Sequence, residues 1–140
     1  MNNQYKNSQD CGPKPFVVNV QAVTKRNSNF RTALWTGTYL QMTLMCIKPG
    51  GDIGIEIHPD TDQFLQIEQG MGIVKMGDQK DNLCFQKRVC TGCGIFIPAQ
   101  KWHNVINTGN APLKICSIYA PPHHPWGTVH RTQADALADE

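Results

Sequence analysis

Between Phe16 and Tyr119 the chain is a succession of short apolar-rich runs, each closed by a turn signal. Pro49-Gly50-Gly51, Gly70-Met71-Gly72, Gly77-Asp78, Thr91-Gly92 and Thr108-Gly109-Asn110 supply the punctuation. A spacing of roughly eight to twelve residues between such signals leaves room for strands and little else, the pattern of an antiparallel sandwich or barrel. Strands are expected at 16–20, 53–58, 63–68, 72–76, 83–89, 94–98, 103–107 and 113–119, with two more inside 31–48 broken near Thr36-Gly37-Thr38. In that longer span Leu40, Met42, Leu44 and Cys46 alternate with Gln41, Thr43 and Met45, which places the two sets on opposite faces. There is no βαβ alternation and no internal duplication, so the expectation is one all-β, double-stranded antiparallel barrel of jelly-roll type.

The flanks differ in character. Residues 1–15 are polar, end in Cys11-Gly12-Pro13-Lys14-Pro15, and read as a loosely ordered arm before a barrel at 16–120. Residues 121–140 begin with Pro121-Pro122-His123-His124-Pro125-Trp126, whose prolines cannot serve a central strand. This Pro/His-rich segment is expected to run over a barrel mouth. Thr132-Gln133-Ala134-Asp135 has the form of a capping box and predicts a short C-terminal helix ending at Glu140.

Composition narrows the function. The chain has 140 residues and a formal net charge of +2, with no basic stripe, so a nucleic-acid partner is not expected. No apolar run is long enough to span a bilayer, and Met1 to Asn7 lack the apolar core of a signal peptide, so no membrane partner and a cytoplasmic location are expected. Cys11, Cys46, Cys84, Cys90, Cys93 and Cys116 are then expected to be reduced. The Cys90-Thr91-Gly92-Cys93 pair lacks the second pair of a structural zinc site and the following helix of a redox motif. It reads as turn and core cysteines, with a reversible disulfide or adventitious metal binding as the alternatives.

Chemistry concentrates between Gly51 and Gly70 and between Pro98 and Asn107. On a strand, residues two apart share a face, so Glu56 and His58 point one way while Ile55 and Ile57 cover the other. Gln63 follows the Pro59-Asp60-Thr61-Asp62 turn, and His103 comes about forty residues later. A glutamate among isoleucines is costly to bury unless it is paired or metal-bound. Glu56, His58, Gln63 and His103 together form a candidate site for one divalent ion. Imidazole suits Zn, Fe or Ni, and the two oxygen ligands also suit Mn.

These residues resemble the two motifs of the cupin superfamily, roughly G-x5-H-x-H-x3-4-E-x6-G and G-x5-P-x-G-x2-H-x3-N. Here the first reads Gly50/Gly51…Glu56-x-His58-x4-Gln63-x6-Gly70 and the second Gly92…Pro98-x-Gln100-x2-His103-x3-Asn107. The resemblance covers about residues 30–120 and is similar in feel to small bacterial cupins related to mannose-6-phosphate isomerase. It implies the barrel and a metal inside it. This chain departs from the motifs in three places: Glu56 replaces the first histidine, Gln63 the glutamate, and Gln100 a glycine. Type I mannose-6-phosphate isomerases also use one Gln, one Glu and two His, with acid and amide in the opposite order.

The leading expectation is therefore an enzyme that activates a small sugar-like or hydroxy-carbonyl substrate by metal-assisted isomerisation or proton transfer. Tyr119, His123 and His124 are the candidate acids and bases. An Fe(II) dioxygenase and a non-catalytic small-molecule sensor stand as alternatives. A homodimer is expected, because apolar edge strands favour a covering partner.

Overall fold

The computed structural model describes residues 9–140. In chain order it contains α1 (Val20–Arg26), β1 (Arg31–Thr36), β2 (Gln41–Ile47), β3 (Asp62–Gln69), β4 (Met71–Gly77) and β5 (Phe85–Cys90). There follow β6 (Gly94–Ile97), β7 (Trp102–Asn107), β8 (Leu113–Ala120), β9 (Val129–His130) and α2 (Gln133–Ala138). A six-stranded sheet runs β6-β3-β8-β2-β1-β9, and a three-stranded sheet runs β5-β4-β7. Every pairing is antiparallel. The two sheets do not close into one ring of hydrogen bonds; they form the sandwich version of the expected all-β jelly roll.

The core lies between the sheets. Met45, Leu65, Ile67 and Ile115 from the larger sheet join Val74, Val89 and Val105 from the smaller in one buried apolar cluster. Gly72 lets β4 and β7 approach closely, since a Cβ there would meet the Ile106 carbonyl oxygen at 2.4 Å.

Two expected strands take other forms. Residues 16–20 make no strand; instead Asn19 caps α1, its side chain accepting from Ala22 N at 2.9 Å. Val20 and Val23 then pack with Val18 against Leu34, Leu44 and Cys116 on the outer face of the larger sheet. The valine run looked strand-like, but the apolar spacing of a helix turn won once a cap was available. Residues 53–58 are not a regular strand either. They touch β7 through single bridges, Asp52 to Ile106 and Glu56 to His103. Gly54, at φ +97°, interrupts the extended run. Asn104 fills the break, accepting from Gly54 N and donating to Asp52, each at 3.0 Å.

The first eight residues of the expected 1–15 arm lie outside the described residues. From residue 9 the chain is tied to β1, with Cys11 N donating to Leu34 O at 2.9 Å. All six cysteines are free thiols. The capping box at Thr132 and Asp135 is formed, although α2 ends at Ala138. Among the described residues no helix is long and apolar enough to cross a membrane.

Candidate metal centre

Glu56 and His103 are held opposite one another by a reciprocal pair of backbone hydrogen bonds at 3.0 and 2.9 Å. Residues paired this way project their side chains to the same side of the two chains. His58 is fixed by the turn after β6, where Gln100 N donates to His58 O at 2.9 Å. Gln100 stands at φ 68°, so it adopts the left-handed conformation suited to the motif glycine it replaces, and the turn keeps its shape. The ligating atoms of Glu56, His58 and His103 all lie within 4.8 Å of one another, a group able to hold a metal ion.

Hydrogen bonding sorts these side chains into used and unused atoms. His103 is 1% exposed, and its Nδ1–H donates to the Lys101 carbonyl at 2.9 Å, leaving Nε2 with a bare lone pair and no partner. Gln63 opens β3 and donates through Nε2 to Ser117 Oγ at 2.9 Å, while its Oε1 accepts from nothing. His58 is 4% exposed; its Nδ1 has no partner, and its Nε2 lies 3.2 Å from Glu56 Oε2 without hydrogen-bond alignment. Buried polar atoms are almost always satisfied. The bare acceptors of His103 and Gln63, whose N–H groups are engaged elsewhere, and a His58 ring with a free lone pair fit a cation.

Charge supports that reading. Burial alone would raise the Glu56 pKa, but the His58 contact and the Arg31 guanidinium reverse the balance and hold it below the ordinary carboxylate value. Burial lowers the pKa of His103, which favours the neutral, ligating form.

The expected acid–base residues gather beside this cluster. The His123 ring lies 4.1 Å from that of His58, and Tyr119 is edge-on to His58 at 5.6 Å. His124 contacts Tyr119, with Nε2 3.3 Å from the hydroxyl. Their environments separate them. Tyr119 is fully buried and its pKa is raised by burial. His124 is pushed down to about 2, first by burial and then by Arg31. His123 is the exposed member, its pKa lowered by burial and by His58.

A cavity of about 460 Å³ opens over Glu56, His58, His123, His124 and His130, with α2 forming one wall. The 121–131 segment thus lies at the opening, as its prolines suggested. Lys101 turns its amine toward Asp78, away from the site.

Sequence reasoning missed Arg31, whereas His130, which it placed with Tyr119, His123 and His124 as able to line a mouth, does line the cavity. Arg31 begins β1 and is 2% exposed, with Nη2 3.8 Å from Glu56 Oε1. Its Nη1 donates to His130 Nδ1 at 3.3 Å, and His130 Nε2–H then donates to Asp139 Oδ2 at 2.8 Å. The available signal was an arginine heading an otherwise inward-packing strand, and it gave no hint of which partner it would meet.

A family model described as Cupin domain matches residues 43–119. The chain is 64% identical over 132 residues to the uncharacterized protein YrkC of Bacillus subtilis, covering 94% of this chain and 71% of that one. An uncharacterized protein of Acanthamoeba polyphaga mimivirus is 43% identical over 116 residues, covering 81% of this chain and 70% of its own length. Among solved structures, BH2720 from Bacillus halodurans superimposes with a TM-score of 0.92 at 62% identity, covering 93% of this chain and 98% of that one. With a jelly-roll sandwich, a His/Glu cluster and these relatives in agreement, the chain belongs to the cupin domain family.

Proposed function

We propose that this protein is a metal-dependent enzyme that moves a proton on a small hydroxy-carbonyl substrate. The observation that carries the reading is the set of unpartnered buried atoms on His58, Gln63 and His103, with the ligating atoms of both histidines and Glu56 within 4.8 Å of one another. A divalent ion held by these four residues supplies Lewis acidity toward a carbonyl or hydroxyl oxygen. His123 is the residue placed to take or return the proton, since it is exposed at the cavity with its ring 4.1 Å from that of His58. Half-buried His124 lines the cavity and orients a substrate hydroxyl by hydrogen bonding, while the buried Tyr119 hydroxyl, 3.3 Å from His124 Nε2, holds that ring in place. At about 460 Å³ the cavity is of the size that takes a small ligand. Metal analysis of the purified protein, followed by proton NMR of hydroxy-carbonyl compounds and sugar phosphates in D₂O, tests the reading. Metal-dependent exchange at carbon is expected, and it should vanish on chelation.

A second reading has its own support. Two histidines and one carboxylate are the ligand set of non-haem Fe(II) oxygenases, and Glu56, His58 and His103 match it. Iron-dependent oxygen consumption without exchange at carbon would select a dioxygenase, and ligand binding without either would select a sensor. A cytoplasmic homodimer completes the proposal. The apolar Met71, Phe85 and Phe96 are exposed and suit a covering copy. Light scattering that shows only monomer at micromolar concentration would remove the dimer.

A further inference from the structure

We infer that Arg31 is the anion-recognition residue of this cavity and that the ligand it receives is a small carboxylate. This rests on the metal-site reading above and adds the substrate class. Arg31 is fixed on one side only. Nη1 is engaged by His130, which Asp139 holds in turn, and the guanidinium carbon lies 5.3 Å from the centre of the Phe30 ring. The other edge, Nε and Nη2, has no hydrogen-bond partner. That edge is the planar fork that matches two carboxylate oxygens. Arg31 is among the residues that line the cavity, and both bare donors lie beneath its surface, shielded from water in the empty site.

The surrounding charges point the same way. Of the carboxylates that line the cavity, Asp139 is paired with His130, Glu140 is exposed, and Glu56 belongs to the metal cluster. Glu56 stays 3.8 Å from Nη2, a distance for attraction and not for a hydrogen bond. A divalent ion together with Arg31 outweighs the single charge of Glu56. An anion restores the balance. Two bare donors satisfy a carboxylate, whereas a phosphate would keep further oxygens unpaired in a buried position.

The test uses the full chain loaded with zinc and titrated by calorimetry with matched pairs: lactate against lactamide, pyruvate against hydroxyacetone, with glycerol phosphate as the phosphate arm. The acids should bind at least about tenfold tighter than their uncharged partners. Arg31→Gln should erase that discrimination while zinc content is retained, and Arg31→Lys should keep part of it and serves if the first variant fails to fold. Equal binding of acid and amide, no binding of any acid, or a preference for glycerol phosphate overturns the inference. A parallel fall in zinc affinity with discrimination intact would make Arg31 a positioning residue for Glu56, which also overturns it. If the wild-type protein takes up no metal through Glu56, His58 and His103, the metal-site reading itself has failed, an outcome that zinc analysis separates from the others.

Discussion

Gln41 and Gln63 flank Tyr119 on neighbouring strands, one paired to it from β2 and the other from β3. Both are buried, at 0% and 5% exposure. Gln41 uses everything it has. Its Nε2 donates to Thr36 Oγ1 and His124 O, and its Oε1 accepts from His123 N and His124 N. Gln63 donates to Ser117 and leaves Oε1 bare. The same side chain is a structural tie in one place and a candidate ligand in the other. Burial cannot tell them apart; only the hydrogen-bond inventory does.

The comparison can be broken most forcefully at the bare cluster. His58→Ala combined with His103→Ala should lower metal affinity by more than about 100-fold, since ligand loss exceeds the effect of outer-shell changes. Retained metal in the purified double variant would refute the ligand assignment. At the satisfied cluster, Asp10 accepts from Gly12 N, Thr36 N, Thr36 Oγ1 and Gly127 N. Asp10→Ala should cost about 3 kcal/mol in urea unfolding because it strands these donors, and it should leave metal content unchanged.

The two glutamines give a sharper contrast at smaller amplitude. Gln41→Leu should cost about 2 kcal/mol and loosen the segment that carries His123 and His124, visible as faster amide exchange there. Gln63→Leu should shift metal-free stability by less than about 1 kcal/mol, yet weaken metal binding by about tenfold. Equal effects of the two changes on stability would erase the distinction.

Acid should expose the same division. Burial holds His103 and His123 below the usual histidine value of 6.5, and His124 down to about 2. The unfolded chain therefore takes up protons before the folded one as pH drops past 6.5, and stability falls with it. Glu56, also lowered, adds to the loss below 4.5. The urea midpoint of metal-free protein should decline from about pH 7 to about pH 5, and a flat profile would contradict the lowered pKa values of these rings. The smallest effect is expected at Gln100→Gly, within about 1 kcal/mol in either direction, because glycine relieves the left-handed backbone while adding unfolded-state freedom.

Much of this was written along the chain. Alternation and turn signals specify strands, because a period of two and a glycine-rich break are local properties. The same locality placed Glu56 and His58 two residues apart and His103 at a compatible spacing, so most of the candidate site could be named from order alone. It also misled. The valines at 16–20 suited a strand until the Asn19 cap and the sheet's outer face made a helix the better way to bury Val20 and Val23.

Only the tertiary structure decided which unlike residues share the site. Arg31 lies 25 positions before Glu56 and His130 lies 99 after Arg31, and the pairing of β1 with β9 brings Arg31 and His130 opposite each other. Tyr119, expected near a mouth, is sealed inside the sheet between Gln41 and Gln63. Which buried atoms stay unsatisfied is likewise a property of the packed whole. A hydrogen bond depends on partner, distance and angle together, and packing is what sets all three.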